Sequence, residues 1–348
     1  MWPLHGEYEC RTCGRRYRAF GEEPMAGQTK LILLKTAATV MLGLLLMLAH
    51  PLHAADLQPE TLAAWDSHLK AADALMQERA AGGQPFLWVD ESPDRAARVR
   101  GGEVVVAPVV GHGTKAVPHG LIHDWIGTIF IPGATIDSLR AVVHNYDDYQ
   151  QMYGPVVTSS RTLACADDVQ EFRMVWQRKV LFVSAAMQGL YQNHDVMVDS
   201  NRGYGVAEAV EIREIQGYGH PGERLLPPNT GSGFIWRIRS ITRYEERDGG
   251  VYLELEAMAL TRDIPASVAW MVKPVVNHLS TNSLVATLRQ THDAVVSPQH
   301  GESLALCPVP NRGIALAKTG GPTGGGAYRS LRLNTNLWTS HYVYMGVW

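Results

Sequence analysis

The chain has 348 residues, enough for one or two domains with a sizeable core. Its 31 basic and 34 acidic side chains leave a net charge of −3, and 46% of its residues are hydrophobic. No stripe of Lys and Arg with interleaved aromatics is present, so nucleic acid is not an expected partner.

The first 24 residues contain Cys10 and Cys13, half of a zinc ribbon. A structural zinc site needs four ligands, and His5 is the only neighbour of the right type, so a chance pair is expected and no metal. Met25 is a natural start. Lys30 and Lys35 precede an uncharged apolar run over residues 36–49, followed by Ala54 and Ala55. A basic leader, a short apolar run and small residues make a secretory signal peptide. The alternative is an uncleaved signal anchor, although the run is short for a span of roughly 20 residues. Residues 1–24 then read as a non-native extension or a cytoplasmic head, and residues 25–55 as the signal segment. The expected location is outside the cytoplasm, periplasmic or held at the membrane by this segment. On export, Cys165 and Cys307 are free to pair, although they lie far apart in the sequence.

Residues 57–80 predict a helix, with Pro59 near its start and Leu62, Trp65, Leu69, Ala72 and Met76 on one face. Residues 86–110 read as partly extended, with a strand over 103–110, and residues 111–118 as a linker. Residues 56–116 therefore form an appendage too short to hold a large core alone, packed on a main domain over residues 117–297.

That domain opens with a strand over 121–131, ended by Pro132-Gly133, and a helical stretch over 135–153 with Leu139, Val142, Val143 and Tyr146 on one stripe. Residues 169–180 alternate, with Phe172, Met174 and Trp176 on one face. Further strands are expected over 180–192 and 204–215. The strongest strand signal is the hairpin over 234–260, with Asp248-Gly249 at its turn. A long helix over 265–296 follows, with Pro265 in its first turn, a kink expected at Pro274, and Leu284, Leu288, Thr291 and Val295 on one face. The tail, residues 298–348, is glycine-rich and aperiodic, and loose structure is expected there.

Few motifs carry chemistry. Residues 217–222 match GxGxxG by letter, but Pro221, Pro227 and Pro228 forbid the helix that a dinucleotide site requires, and no cofactor is expected. His119 and His123 are four apart, which in a strand is about 13 Å, too far for one metal. Glu254 and Glu256 share a face with Tyr252 and Met258. That face is either solvated, or it places Glu256 in a cavity beside an arginine. The aromatics Trp125, Tyr146, Tyr153, Trp176, Trp236, Tyr244 and Trp270 suit core packing and cavity lining equally.

The order of elements, with the strings WIGTIFIP (125–132), LRAVVHNYDDYQQMY (139–153), GFIWRIRSITR (233–243), GGVYLELEAMALTRDIP (249–265) and the closing SLVATLRQTHDAV, resembles the START-like superfamily, also called SRPBCC or helix-grip proteins. These include lipid-transfer domains, polyketide cyclases and pollen-allergen-type ligand carriers. The resemblance covers about half the chain and implies an α+β helix-grip fold, a curved antiparallel sheet wrapped around a long C-terminal helix, with a cavity for a lipid-like molecule between them. It carries over no catalytic residue. One helix covers a wide curved sheet incompletely, so a mostly apolar pocket of roughly 300–1,000 Å³ is expected. The candidate ligand-binding residues are Trp176, Trp236, Ile238, Tyr244, Tyr252, Glu256 and Met258 from the sheet, and Trp270, Met271 and Val275 from the helix. The expected function is an exported carrier for an apolar small molecule. The alternatives are a cyclase- or hydrolase-like enzyme using polar cavity residues, and a structural envelope protein with a filled core.

Overall fold

The computed structural model describes residues 7–9, 16–18, 56–166, 169–180, 183–264 and 266–297. The expectations for the cysteine pair, the signal segment and the tail lie outside these residues. The chain divides into two units, Met1–His53 and Ala54–Trp348. The first contains a short antiparallel pair, β1 (Glu7–Glu9) and β2 (Arg16–Arg18).

The second unit begins with α1 (Pro59–Ala80). Proline at its first turn costs no hydrogen bond, and Thr61, Trp65, Leu69, Met76 and Arg79 are buried along one face. A 3-10 turn (Trp88–Glu91) and α2 (Pro93–Arg100) follow, where an extended segment was expected. The reason is local. Ser92 caps the helix by accepting the Arg95 backbone N–H, and Pro93 is pre-set for the first helical position.

The main sheet has ten antiparallel strands among the described residues. They are β3 (Val105–Pro108), β4 (Thr114–Val117), β5 (Gly120–Pro132), β6 (Val157–Ala166), β7 (Val169–Val180), β8 (Val183–Met197), β9 (Arg202–Gln216), β10 (Arg224–Leu225), β11 (Arg237–Arg247) and β12 (Gly250–Arg262). The order is β3-β5-β12-β11-β9-β8-β7-β6, with β4 on β5 and β10 on β9. β4 occupies the stretch expected as linker. Between β5 and β6 lie α3 (Ile136–Val143), a 3-10 turn (Tyr146–Asp148) and α4 (Tyr149–Met152), so the predicted helical stretch is three short pieces. Thr135 and Ser138 form a capping box at the start of α3.

The closing helix α5 (Ala266–Val296) is continuous through Pro274 and lies against β5 and β12. Its stripe of Leu284, Leu288 and Thr291 is buried as the spacing predicts. Gly127, in the middle of β5, makes the close approach possible, because a Cβ there would lie 2.8 Å from Leu288 Cδ1. The result is the α+β helix-grip fold.

The sheet has a core on each side. The concave side, under α5, buries Trp125, Ile129, Phe172, Trp176, Tyr191, Tyr244, Leu253 and Leu255. The convex side is covered by the appendage, where Trp65, Leu69, Met76, Leu87 and Val89 pack with Ile122, Phe130, Ile241, Tyr252 and Met258. β12 is therefore buried at every position from Gly250 to Leu260, as a strand covered on both faces must be.

Candidate functional site

On the concave side, alternate residues of β11 (Ile238, Ser240, Thr242, Tyr244) and β12 (Leu253, Leu255, Ala257) form the floor of a cavity. The α3–α4 segment, β7 and β8 form its walls, and Thr287, Leu288 and Thr291 of α5 form its roof. Its free volume is about 80 Å³, well below the expected size. Large aromatics explain the difference. Tyr146 stacks on Phe172 at 3.8 Å between ring centroids, Phe172 stacks on Tyr191 at 5.6 Å, and Tyr149 meets Tyr146 and Tyr153 edge-on at 5.4 and 4.9 Å. Gly203 gives Tyr244 its room, since a Cβ there would sit 2.5 Å from the ring.

One wall is polar. Asp195 of β8 accepts from Arg140 Nη2 at 2.6 Å and from the Tyr244 hydroxyl at 2.8 Å, with His144 Nε2 at 3.5 Å. Burial alone would raise the Asp195 pKa, but His144, Arg140 and Tyr244 outweigh it and hold the carboxyl below its ordinary value. Burial and the Asp195 charge push the Tyr244 hydroxyl up, so it stays a neutral donor. Tyr146 donates to Gln170 Oε1 at 2.6 Å, and Asn193 donates to the same oxygen at 3.0 Å. Burial raises the Tyr146 hydroxyl too. His144 Nδ1 is buried with no hydrogen-bond partner among the described residues.

A second hollow of about 300 Å³ opens beside the first, between α5 and the segment from Gly154 to Val157 at the start of β6. Arg178, Asn282, Ser283 and Gln290 line it, and it shares Tyr153 and Thr287 with the inner cavity. Tyr153 thus forms the partition. Its hydroxyl is 3.0 Å from Thr291 Oγ1, and burial pushes its pKa up to about 12.

Of the candidate residues, Ile238 and Tyr244 line the cavity, and Trp176 is buried in the same concave core. Trp236, Tyr252 and Met258 belong instead to the convex core. Glu256 is also on the convex side, neither solvated nor in the cavity. It accepts from Arg243 Nη2 at 2.9 Å, beneath the appendage. For Tyr252, Glu256 and Met258 the physical reason is register. Tyr244 pairs with Leu253, and Thr242 with Leu255, so even positions of β11 share a face with odd positions of β12. The side chains of Trp270, Met271 and Val275 lie outside the described ones. Sequence reasoning missed His144, Asp195, Tyr149 and Tyr191. His123 and Asp124 point to different partners, Thr261 at 3.0 Å and His68 at 2.9 Å. Among the described residues no group of His, Cys, Asp or Glu is arranged to hold a metal.

No protein-family model matches the chain, and no curated protein matches it. Solved structures do. A STAR-related lipid transfer protein from Xanthomonas axonopodis is 15% identical, over 56% of this chain and 99% of that one, with a TM-score of 0.35. Human STARD10 is 7% identical over 53% and 75%, with a TM-score of 0.34. The ZhuI aromatase/cyclase from Streptomyces sp. R1128 is 15% identical over 50% and 96%, with a TM-score of 0.33. These are START/SRPBCC-like folds, the kind the sequence pattern resembles. At such identities and TM-scores they say nothing of ligand or activity.

Proposed function

We propose that the protein binds and carries an apolar, lipid-like molecule between the sheet and α5. The observation that supports this is the pair of adjoining hollows under α5, an inner one with a mostly apolar lining and a wider outer one, which share Tyr153 and Thr287 in their walls. The inner space has room for several waters but not for an acyl chain as it stands. The outer cleft is at the lower end of the range for small-molecule sites. Loading therefore requires Tyr153 to move. Native mass spectrometry of the purified protein tests the reading. The expected result is a lipid-sized adduct that organic extraction removes and added lipid restores. If no adduct appears and no apolar probe binds, the structural reading with a filled core takes its place.

A second reading, a cyclase- or hydrolase-like enzyme, is favoured by one observation, the convergence of His144, Asp195 and Tyr244 on the cavity wall. Turnover of an ester or polyketide probe that is lost in His144→Ala would replace the carrier reading.

Export belongs to the same proposal. It is motivated by Lys30 and Lys35 ahead of the apolar run at 36–49, and by the disulfide bonding of Cys165, an exposed residue of β6. No described helix is long and apolar enough to cross a membrane.

A further inference from the structure

The interior arginines Arg79, Arg140, Arg239 and Arg243 each have a carboxylate within 4 Å. Arg178, near the end of β7, has none among the described residues. Its Nη2 donates to Ser283 Oγ of α5, a neutral acceptor whose own proton goes to the Leu279 carbonyl at 2.7 Å. Its Nε is buried with no partner among the described residues. Burial lowers the Arg178 pKa, and among the described residues no nearby charge offsets it. An uncompensated guanidinium in a partly buried position is costly, and Arg stays charged, so the site calls for an anion. The cleft around it has room for one. Among the described residues no Asp or Glu lines it, and its other polar groups are the neutral side chains of Ser283, Asn282, Thr287 and Gln290. On its inner side the cleft meets Tyr153, beyond which the lining is mostly apolar, with the one polar wall at His144 and Asp195.

We propose that this cleft is a head-group site, in which Arg178, with Ser283 and Asn282, binds the carboxylate or phosphate of an acidic amphiphile whose apolar chain runs past Tyr153 under α5. The proposal rests on the carrier reading and narrows its ligand from apolar molecules in general to anionic ones. The guanidinium supplies paired N–H donors that suit both carboxylate and phosphate oxygens. The polar end is placed at the wider, outer cleft, and the chain enters the inner one as Tyr153 moves aside.

The test is titration calorimetry on the delipidated full-length protein at neutral pH with four probes: dodecanoate, dodecyl phosphate, dodecanol and inorganic phosphate. Wild type should bind the two dodecyl anions about tenfold or more tighter than dodecanol, as expected for a charge-assisted contact. Arg178→Gln should remove that preference by weakening the anions alone and leave dodecanol unchanged. Arg178→Lys should retain part of the preference, which separates loss of charge from loss of fold. Ser283→Ala should weaken the anions by a smaller factor. Equal affinities for dodecanol and the anions, or an Arg178→Gln protein that still prefers the anions, would overturn the head-group site and leave the carrier reading intact. Inorganic phosphate binding as tightly as dodecyl phosphate would mean a free-anion site and also overturn the proposal. Failure of every dodecyl probe would overturn both readings together.

Discussion

Arg243 and Glu254 face each other across the β11–β12 hairpin, with Arg243 Nε 3.1 Å from the carboxylate and both side chains out of solvent. Glu254 also accepts the backbone N–H groups of Trp88 and Val89, at 2.9 and 2.7 Å, where the 3-10 turn of the appendage begins. Arg243 reaches on to Glu256. The cluster therefore fastens the appendage to the convex face of the sheet. Burial raises the Glu254 pKa, and Arg243 with the two backbone donors opposes the rise. Arg243→Met would leave two buried carboxylates unpaired and should cost about 3–5 kcal/mol in a denaturant titration. Adding Glu254→Gln and Glu256→Gln should recover a large part of that loss. A single variant as stable as wild type would mean that the cluster fastens nothing.

This cluster also shows how far the sequence could be read. The alternation of β7 and of the β11–β12 hairpin was visible, and β7 matched its predicted bounds, because period-two patterning is a local property. Facing is a relation between strands. Asp248 and Gly249, both at positive φ, form a two-residue turn that pairs Arg247 with Gly250. Carried along the hairpin, that one pairing sets Glu256 opposite Ile241, away from Tyr244. The signal was therefore present, but reading the two strands separately lost it. Asp195 was a different case. Its partners are Arg140 in α3 and His144 just after it, some fifty residues earlier, and no local pattern marks a lone Asp on a strand as buried.

Gly127 offers a test of the grip itself. A methyl group there would meet Leu288 Cδ1 at 2.8 Å, Leu284 Cγ at 3.1 Å and Val106 Cγ2 at 3.1 Å. Alanine suits a strand better than glycine, so an unobstructed site would gain stability. Gly127→Ala should instead lose about 1–3 kcal/mol by overpacking, and Leu288→Val in the same protein should relieve part of it. A neutral or stabilising Gly127→Ala would show that α5 does not lie so close to β5.

The export proposal predicts the mature N-terminus. Cleavage after the small residues that follow the apolar run would leave a chain beginning near Ala55 or Asp56, just ahead of α1. Intact-mass analysis of protein from its native host checks this. A chain that starts at Met1 or Met25 would replace cleavage with an anchor.

His123 predicts an acid-sensitive component of stability. It is buried on β5 with Nε2 3.0 Å from Thr261 Oγ1, and burial lowers its pKa to about 4 from 6.5. The unfolded chain therefore binds a proton near pH 6.5 that the folded chain refuses until about pH 4. Above pH 6.5 His123 is neutral in both states and costs nothing. Between 6.5 and 4, stability falls as pH falls, by up to about 1.4 kcal/mol per unit and roughly 3 kcal/mol in all. His123→Gln should flatten that part of the stability curve. Parallel curves for the two proteins would rule out this source.

Tyr153 sets the rate of loading if the two hollows form one site. Its ring separates them, held by the hydroxyl contact to Thr291 and by edge-on packing against Tyr149. Tyr153→Phe keeps the ring but loses the hydroxyl contact, whereas Tyr153→Ala removes the partition. In stopped-flow measurements with dodecanol, whose neutral head makes no demand on Arg178, uptake should quicken modestly in Tyr153→Phe and strongly in Tyr153→Ala. The alanine variant should also lose about 3 kcal/mol of stability to the enlarged cavity. Tyr153→Trp, which thickens the wall, should slow uptake with little change in the final amount bound. Uptake rates indifferent to all three substitutions would place the ligand's path elsewhere and remove the reason for joining the outer cleft to the inner cavity.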